Sequence, residues 1–200
     1  VHILESFDTS IYNSPETEKI MGFGYPIGHP DLQKVTEQGS GIFREAVLLV
    51  ADALGAELDE IRCEAQYAQA TEDVHLPGNW VIPTGCVAGI DVSWKGFVGD
   101  RDVVEVRAVW TKGQALEPTW TIGFGYTITI EGRPTIKTTL AFEPPPDFVA
   151  ETLEEYVLLG LTITAVPAIT AIPAVVAAPP GIATYNDLPL LLPRGVLATN

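Results

Sequence analysis

Four successive segments of alternating apolar and polar residues constrain the fold of this chain more than any other feature. They follow one another along the sequence, at 86–96, 102–112, 119–131 and 134–143. The third segment is the most regular, and one face of it carries Trp120, Ile122, Phe124, Tyr126, Ile128 and Ile130. Successive side chains of a strand point to opposite faces, so each segment predicts a strand with one buried face. Together they predict an antiparallel sheet covered on one side, with a tight turn at Gly99-Asp100.

The part of the chain before these segments predicts two further strands and a helix. Residues 1–8 and 61–70 predict strands, and residues 40–54 carry apolar side chains at helical spacing before Gly55. Between them, residues 9–34 are rich in proline and glycine and predict a long loop, with one helical turn near 16–21. A loop of this length inside a compact domain is usually functional or disordered, and its aromatic residues favour function.

Helices are also predicted after the sheet, where Pro144-Pro145-Pro146 ends the last strand. We expect a helix over 148–165 with Asp147 as its N-cap, a kink or restart at Pro167, and a second stretch to about Ala178. The uncharged run 156–186 is long enough to cross a membrane. Its prolines, and the absence of Lys or Arg on its N-terminal side, favour a buried helix pair instead.

The order of elements predicts the fold class, which is α+β: an antiparallel-dominated open sheet with helices packed on one face. The length of 200 residues and the hydrophobic content of 46% suit one domain spanning residues 1–200. The net charge of −15 argues against nucleic acid and anionic membrane surfaces as partners. Cys63 and Cys86 are far apart in the sequence and lack the spacing of a metal site. Free thiols in a reducing cytoplasm are favoured over a disulfide, so we expect a cytoplasmic protein.

Few residues predict chemistry. The three histidines are isolated, no HExxH or GxSxG motif occurs, and we expect no metal site. The GxG pairs beginning at Gly22 and Gly123 lack the strand–loop–helix context of a phosphate loop. The remaining candidates lie in the loop that follows the first strand, and the predicted substrate-binding residues are Ser10, Tyr12, Asn13, Met21 and Phe23. The Tyr12 hydroxyl is placed to donate to a carbonyl oxygen or an imine nitrogen, although an ordinary packing role is the alternative.

Three stretches together resemble the C-terminal half of the dihydrodipicolinate reductase-like oxidoreductases. The first runs from Glu5 through Tyr12 to Met21-Gly22-Phe23-Gly24, and the second is Ile82-Pro83-Thr84-Gly85-Cys86-Val87-Ala88-Gly89. The third covers 165–181 and continues to Asp187-Leu188-Pro189. The resemblance is closest to the branch with 2,4-diaminopentanoate dehydrogenase and the native amine dehydrogenases. The His-His pair and the Lys-x-Asp-Ala-Pro-Ser-Gly-Thr-Ala stretch of true dihydrodipicolinate reductases are missing, so dihydrodipicolinate is not the expected substrate.

The resemblance implies a function. Such enzymes transfer hydride between NAD or NADP and a carbon–nitrogen bond, in amine deamination or ketone amination, and a Rossmann domain binds most of the cofactor. The chain would then be the substrate-binding and oligomerisation domain of a homo-oligomer, with a small amine or ketone as its substrate. By position, Tyr12 matches a pocket tyrosine, with Ser10, Met21 and Phe23 nearby.

The first residues also indicate a longer protein, because Val1 opens a strand without an initiating Met. We therefore expect an N-terminal Rossmann domain outside this chain and an inactive isolated domain, and we assign no catalytic residue. Two alternatives stay open: a non-catalytic α+β module that binds a small apolar ligand, and a membrane-anchored domain using 156–186.

Overall fold

The computed structural model describes residues 1–12 and 14–191, which form two compact units, 1–143 and the part from Pro144 onward. The helices of the described residues are α1 (Pro15–Ile20), α2 (Leu32–Gly39), α3 (Ile42–Ala53) and α4 (Leu153–Ala177). The strands are β1 (His2–Asp8), β2 (Glu60–Ala70), β3 (Val74–Leu76), β4 (Trp80–Ile82), β5 (Val87–Val98), β6 (Arg101–Thr111), β7 (Leu116–Glu117), β8 (Gly125–Ile130) and β9 (Ile136–Leu140). The predicted strands at the start of the chain and before residue 70 are confirmed.

Seven strands form one open sheet in the order β7-β2-β5-β6-β1-β8-β9. Neighbouring strands are antiparallel except β1 and β6, which are parallel and pair His2 with Glu105 through Asp8 with Thr111. β3 and β4 form a separate hairpin. Gly99 has a φ of 59°, which allows the two-residue turn between β5 and β6. The predicted α+β class with an antiparallel-dominated sheet is confirmed.

The core lies between this sheet and helices α2 and α3, which pack on β2, β5 and β6. The residues of β5 and β6 that were predicted to alternate toward the core are buried there, except Trp110, which is partly buried; Ile90, Val92 and Val104 have no exposed surface. Val47 of α3 is equally buried. The indole of Trp94 donates to Ser40 Oγ at 2.9 Å, which satisfies two polar groups inside the core.

The predicted strand 119–131 is wrong in its first half, because β8 begins only at Gly125. Residues 119–124, before β8, cross the face of the sheet opposite the helices, and there Gly123 N donates to Ser6 Oγ at 2.9 Å. The Trp120 ring packs so closely on Gly89 that an added Cβ there would lie 2.9 Å from it. This contact fixes the indole on the face opposite the predicted one. Phe124 is 69% exposed, so it is not a core residue.

The β8–β9 edge shows the predicted alternation without the predicted burial. Tyr126 pairs with Leu140 across the two strands, on the side of the sheet that carries the helices. Ile130, Ile136, Leu140 and Phe142 are nevertheless all at least 40% exposed. The reason is geometric: helices α2 and α3 pack against β2, β5 and β6 and do not reach this edge.

Helix α2 occupies residues that predict loop or no defined element. Its buried face includes a polar residue, Thr36, whose hydroxyl donates to the Met21 carbonyl at 2.9 Å. The hydroxyl of Tyr67 in turn donates to Thr36 at 3.0 Å. The helix has only eight residues, and its two buried side chains are one apolar residue, Leu32, and one polar residue, so a search for repeated apolar positions does not reveal it.

Both cysteines are free thiols, as predicted, and both are half-buried. Burial raises the pKa of Cys63 to about 11, and the carboxylate of Glu37 acts in the same direction. Because the thiolate is the nucleophilic form, this pKa makes Cys63 unreactive near neutral pH.

The second unit contains α4, which differs from its prediction at its start and in its middle. Thr152 caps the helix in place of Asp147, accepting from Glu155 N at 3.4 Å. The helix continues through Pro167 and Pro173 as one element, so the predicted restart at Pro167 and the predicted pair of helices are wrong. Within this helix, Val157–Ala177 has a mean hydropathy of 2.0, and only 6% of this apolar stretch is buried. That stretch is long and apolar enough to cross a membrane, and one such helix is weak evidence that it does.

Candidate functional site

The loop after β1 is attached to the end of β6 by backbone and side-chain hydrogen bonds. Thr9 N donates to the Thr111 carbonyl at 2.8 Å. The Asp8 carboxylate accepts from Ser10 N at 2.9 Å and from Gly113 N at 3.1 Å. Tyr12 N then donates to the Thr9 carbonyl at 3.0 Å, so a short hydrogen-bonded turn places Tyr12 at the end of β1.

A buried ion pair holds the next part of this loop. Lys112, the first residue after β6, has no exposed surface, and its ammonium contacts the Glu18 carboxylate of α1. The same Nζ donates to the Thr9 carbonyl at 2.7 Å and lies 5.2 Å from the centre of the Phe23 ring. Burial lowers the pKa of Lys112 to about 7, while the charge of Asp8 acts in the opposite direction. This pair connects both ends of the loop to the sheet.

Glu5 occupies the middle of β1, where three strands meet on the helix side of the sheet. It pairs with Ala108 of β6 on one side and Tyr126 of β8 on the other. Its Oε1 accepts a hydrogen bond from the indole nitrogen of Trp110 at 3.1 Å. Burial raises the pKa of Glu5, and the Trp110 hydrogen bond acts in the opposite direction.

Aromatic side chains of β1, β6 and β8 lie next to Glu5 in the sheet. The centre of the Phe7 ring lies 5.2 Å from that of Phe124 and 5.6 Å from that of Tyr126, both edge-on. Burial raises the pKa of Tyr126, and the nearby Glu5 and Tyr12 act in the same direction. We call Glu5, Phe7, Trp110 and Tyr126 the Glu5 cluster, with Tyr12 at its edge. A partly buried carboxylate that accepts from a neutral donor is suited to a cationic group.

The structure separates the residues that were predicted to bind substrate. Tyr12 is 38% exposed beside the Glu5 cluster, and Ser10 is half-buried in the turn before it. Met21 and Phe23 are 8% and 2% exposed and belong to the core. Asn13 lies outside the described residues. The substrate-binding role of these five residues stays a prediction, and within the described chain Tyr12 is the one placed beside an open polar group.

Sequence reasoning missed Glu5 and Lys112 as parts of the site. Glu5 is one of 26 acidic residues, and nothing in its neighbourhood along the chain marks it as buried. Its partner Trp110 is 105 positions away. A charged residue between two apolar ones on the same strand face, here Ile3 and Phe7, is the signal that was available for Glu5. For Lys112 the signal was a charged residue directly after a strand with several buried residues.

The opposite face of the sheet carries a concavity of about 510 Å³ beneath residues 119–125. Its floor includes Asp91 and Arg107, whose guanidinium donates to both carboxylate oxygens at 2.7 and 2.5 Å. These two charges neutralise each other. The concavity is therefore less suited than the Glu5 cluster to bind a charged ligand.

The residues described here do not fit a dinucleotide site. A dinucleotide phosphate needs a glycine-rich turn between a strand and a helix N-terminus. Gly22 and Gly24 instead follow the end of α1, and Gly24 N donates to the Val87 carbonyl at 2.9 Å. Gly123 precedes β8, and Gly125 is its first residue. In residues 1–12 and 14–191 no group of His, Cys, Asp or Glu side chains is arranged to hold a metal ion either.

The fold and the cluster define the class: an α+β domain that offers a partly buried carboxylate and, in its described part, has no dinucleotide site. A profile of the 2,4-diaminopentanoate dehydrogenase C-terminal domain matches residues 30–199, and the chain belongs to this family. The resemblance seen in the sequence is thereby confirmed.

Two amine dehydrogenases are similar to the chain. It is 26% identical to the amine dehydrogenase of Streptomyces virginiae over 142 residues, which are 68% of this chain and 39% of that protein. The structure of amine dehydrogenase from Mycobacterium smegmatis matches with a TM-score of 0.66 at 19% identity. That match covers 96% of this chain and 52% of the other and shows the same fold. The chain thus spans about half the length of these relatives or less.

Proposed function

We propose that this chain is the substrate-binding and oligomerisation domain of an NAD(P)-dependent amine dehydrogenase. The observation that carries the proposal is membership of the 2,4-diaminopentanoate dehydrogenase C-terminal domain family, together with the two similar amine dehydrogenases. Such a protein oxidises an amine to an imine, or makes an amine from a ketone and ammonia in the reverse direction. The nicotinamide, when bound, accepts or donates the hydride.

In this proposal a Rossmann domain outside the chain holds the cofactor. Two observations support that arrangement: the relatives are about twice as long as the chain, and the described residues do not form a dinucleotide site. The residues of the chain then bind and orient the substrate. Tyr12 and the Glu5 cluster form the substrate side of the pocket, with the Tyr12 hydroxyl donating to the nitrogen or oxygen at the reacting carbon.

The test uses the full-length protein that contains this chain. Its NAD- and NADP-dependent turnover is measured on a panel of short amines and ketones, for the wild type and for Tyr12→Phe. Loss of one oriented hydrogen bond, about 1.5–3 kcal/mol, should lower kcat/KM about ten- to hundredfold. Tyr185→Phe is the matched control, because Tyr185 is 54% exposed in the second unit.

Two results would contradict the proposal in different ways. Unchanged kcat/KM with a lower melting temperature for Tyr12→Phe would make Tyr12 a packing residue. Absence of turnover with either cofactor on every amine and ketone would favour the non-catalytic binding module instead.

The same proposal includes a homo-oligomer in the cytoplasm. Apolar side chains at the β8–β9 edge are exposed, among them Ile136 at 54% and Leu140 at 43%. Residues of α4 such as Ile169 and Ile172 are 61% and 56% exposed. Apolar surface of this extent is typical of a protein interface. Sedimentation of the full-length protein at micromolar concentration should show an oligomer, and a monomer would refute this part.

A further inference from the structure

We infer that Lys112 is a positioning residue for Tyr12: its buried ammonium holds the turn that directs the Tyr12 hydroxyl toward the substrate. The inference rests on the proposed function, in which Tyr12 donates to the substrate. It goes further because it assigns a role in turnover to a side chain that has no exposed surface itself. One shared acceptor carries it, since the Thr9 carbonyl oxygen accepts from Lys112 Nζ at 2.7 Å and from Tyr12 N at 3.0 Å.

Thr9 connects Tyr12 to the end of β6 through all of its polar groups. Its backbone N and its Oγ1 both donate to the Thr111 carbonyl, at 2.8 and 3.1 Å. Its own carbonyl oxygen has two lone pairs, and it uses them for Lys112 and Tyr12. Thr9 therefore cannot turn without breaking several hydrogen bonds at once. The place of the Tyr12 backbone consequently follows from that of Thr111 and Lys112.

The Lys112 ammonium holds the chain on both sides of Tyr12. It contacts Thr9, three positions before Tyr12, and the Glu18 carboxylate, six positions after it. It also lies 5.2 Å from the centre of the Phe23 ring, within the range of a cation–π contact. Among the described residues the Tyr12 hydroxyl has no hydrogen-bond partner, so the turn rather than a side-chain contact keeps the ring in place.

The energetics of a buried ion pair favour a role in geometry over a role in net stability. Apolar residues of the same volume often stabilise a fold as well as a buried pair does. A hydrogen bond from an ammonium is shorter and stronger than one between neutral groups, so it restricts its acceptor more tightly. A shift of about 1 Å in a group that acts on the substrate can lower the rate about hundredfold. We therefore expect loss of the Lys112 ammonium to lower turnover through Tyr12.

The experiment is a cycle in the full-length protein that combines Tyr12→Phe with the paired replacement of Glu18 and Lys112 by methionine. The paired replacement removes the ammonium without leaving a buried charge. It should lower kcat/KM about tenfold on the amine that the wild type turns over best, through kcat more than through KM. In the Tyr12→Phe background the same pair should lower kcat/KM less than about twofold. Val47→Ala, in the core of α3, destabilises the same unit away from the turn and should keep the wild-type kcat/KM.

A second measurement does not depend on turnover. Amide hydrogen exchange at Tyr12 N reports directly on its bond to the Thr9 carbonyl. Exchange should be about tenfold faster in the paired methionine variant, because the acceptor is no longer held by the ammonium. In Val47→Ala it should stay as in the wild type, because a surface turn exchanges through local opening and not through global unfolding.

Each outcome decides the inference. Equal losses of kcat/KM in the wild-type and Tyr12→Phe backgrounds would overturn it, as would unchanged exchange at Tyr12 N. If the methionine pair does not fold, glutamine at both positions keeps a neutral donor near Thr9; a smaller loss that again depends on Tyr12 is expected, and a loss independent of Tyr12 would overturn the inference. Failure of the proposed function looks different: the wild type would turn over no amine, while exchange at Tyr12 N would still show whether Lys112 holds the turn.

Discussion

Replacing Lys112 with methionine tests whether the buried ion pair holds the loop that carries Tyr12. The Lys112 ammonium contacts the Glu18 carboxylate and donates to the Thr9 carbonyl, and both side chains of the pair are buried. Methionine preserves most of the volume but leaves the Glu18 charge buried without a partner. Breaking a buried pair in this way costs about 3–5 kcal/mol. Since a domain has about 5–15 kcal/mol of stability, Lys112→Met should shift the urea unfolding midpoint far downward.

A double-mutant cycle makes this prediction specific. Glu18→Met alone should also destabilise the protein by about 3–5 kcal/mol, because it leaves the Lys112 charge buried. In the double variant both charges are gone, and the remaining loss is the unpaired Thr9 carbonyl, worth about 1–3 kcal/mol. The double variant should therefore be more stable than either single variant. Losses that simply add, or a loss below about 1 kcal/mol for Lys112→Met, would refute the reasoning.

Three further predictions concern other parts of the first unit. Glu5→Gln should raise the melting temperature at pH 7, because a carboxyl whose pKa is raised in the folded protein destabilises the fold when it is ionised. Toward pH 4 the wild-type carboxyl becomes protonated, so the two proteins should melt at similar temperatures. A lower melting temperature of the variant at pH 7 would show that the Glu5 carboxylate has a structural role. Gly39→Ala should destabilise the fold by at least about 1–3 kcal/mol, because the new Cβ would lie 2.2 Å from the Ile20 carbonyl oxygen. Gly160→Ala is the control: its Cβ would meet no atom within 4 Å, so the stability of the fold should not fall. Phe124→Ala should cost less than about 1 kcal/mol in urea unfolding, because Phe124 is 69% exposed.

Local patterns were sufficient to predict the strands at the centre of the sheet. The alternation in β5 and β6 identifies the residues that face the helices, and Gly99-Asp100 identifies the turn between the strands. These features depend on neighbours within a few positions of the chain. The same reasoning failed before β8, where the alternation continues into a segment that leaves the sheet. The deciding contact there is between Trp120 and Gly89, which no local pattern contains.

The site was less predictable than the fold because its contacts join distant parts of the chain. The parallel pairing of β1 with β6 brings together residues about one hundred positions apart, and no turn motif announces it. Tyr12 was predicted from its place just after the first strand; the structure places it in the turn that follows β1, 38% exposed, and its substrate-binding role stays a prediction. Glu5 becomes distinctive only when the pairing places Trp110 and Tyr126 around it.

Lys112 and Glu5 show how a buried charge with a counter-ion inside the chain differs from one without. Glu5 lies in the β1–β6 pairing, Lys112 directly follows it, and burial penalises the charged form of each. Lys112 has its counter-ion inside the chain, so removing it breaks a satisfied pair and should destabilise the fold. Glu5 has none among the described residues, so removing its charge relieves a desolvation penalty and should stabilise the fold. Opposite signs in the same unfolding assay would therefore separate the two roles, independently of any enzymatic measurement.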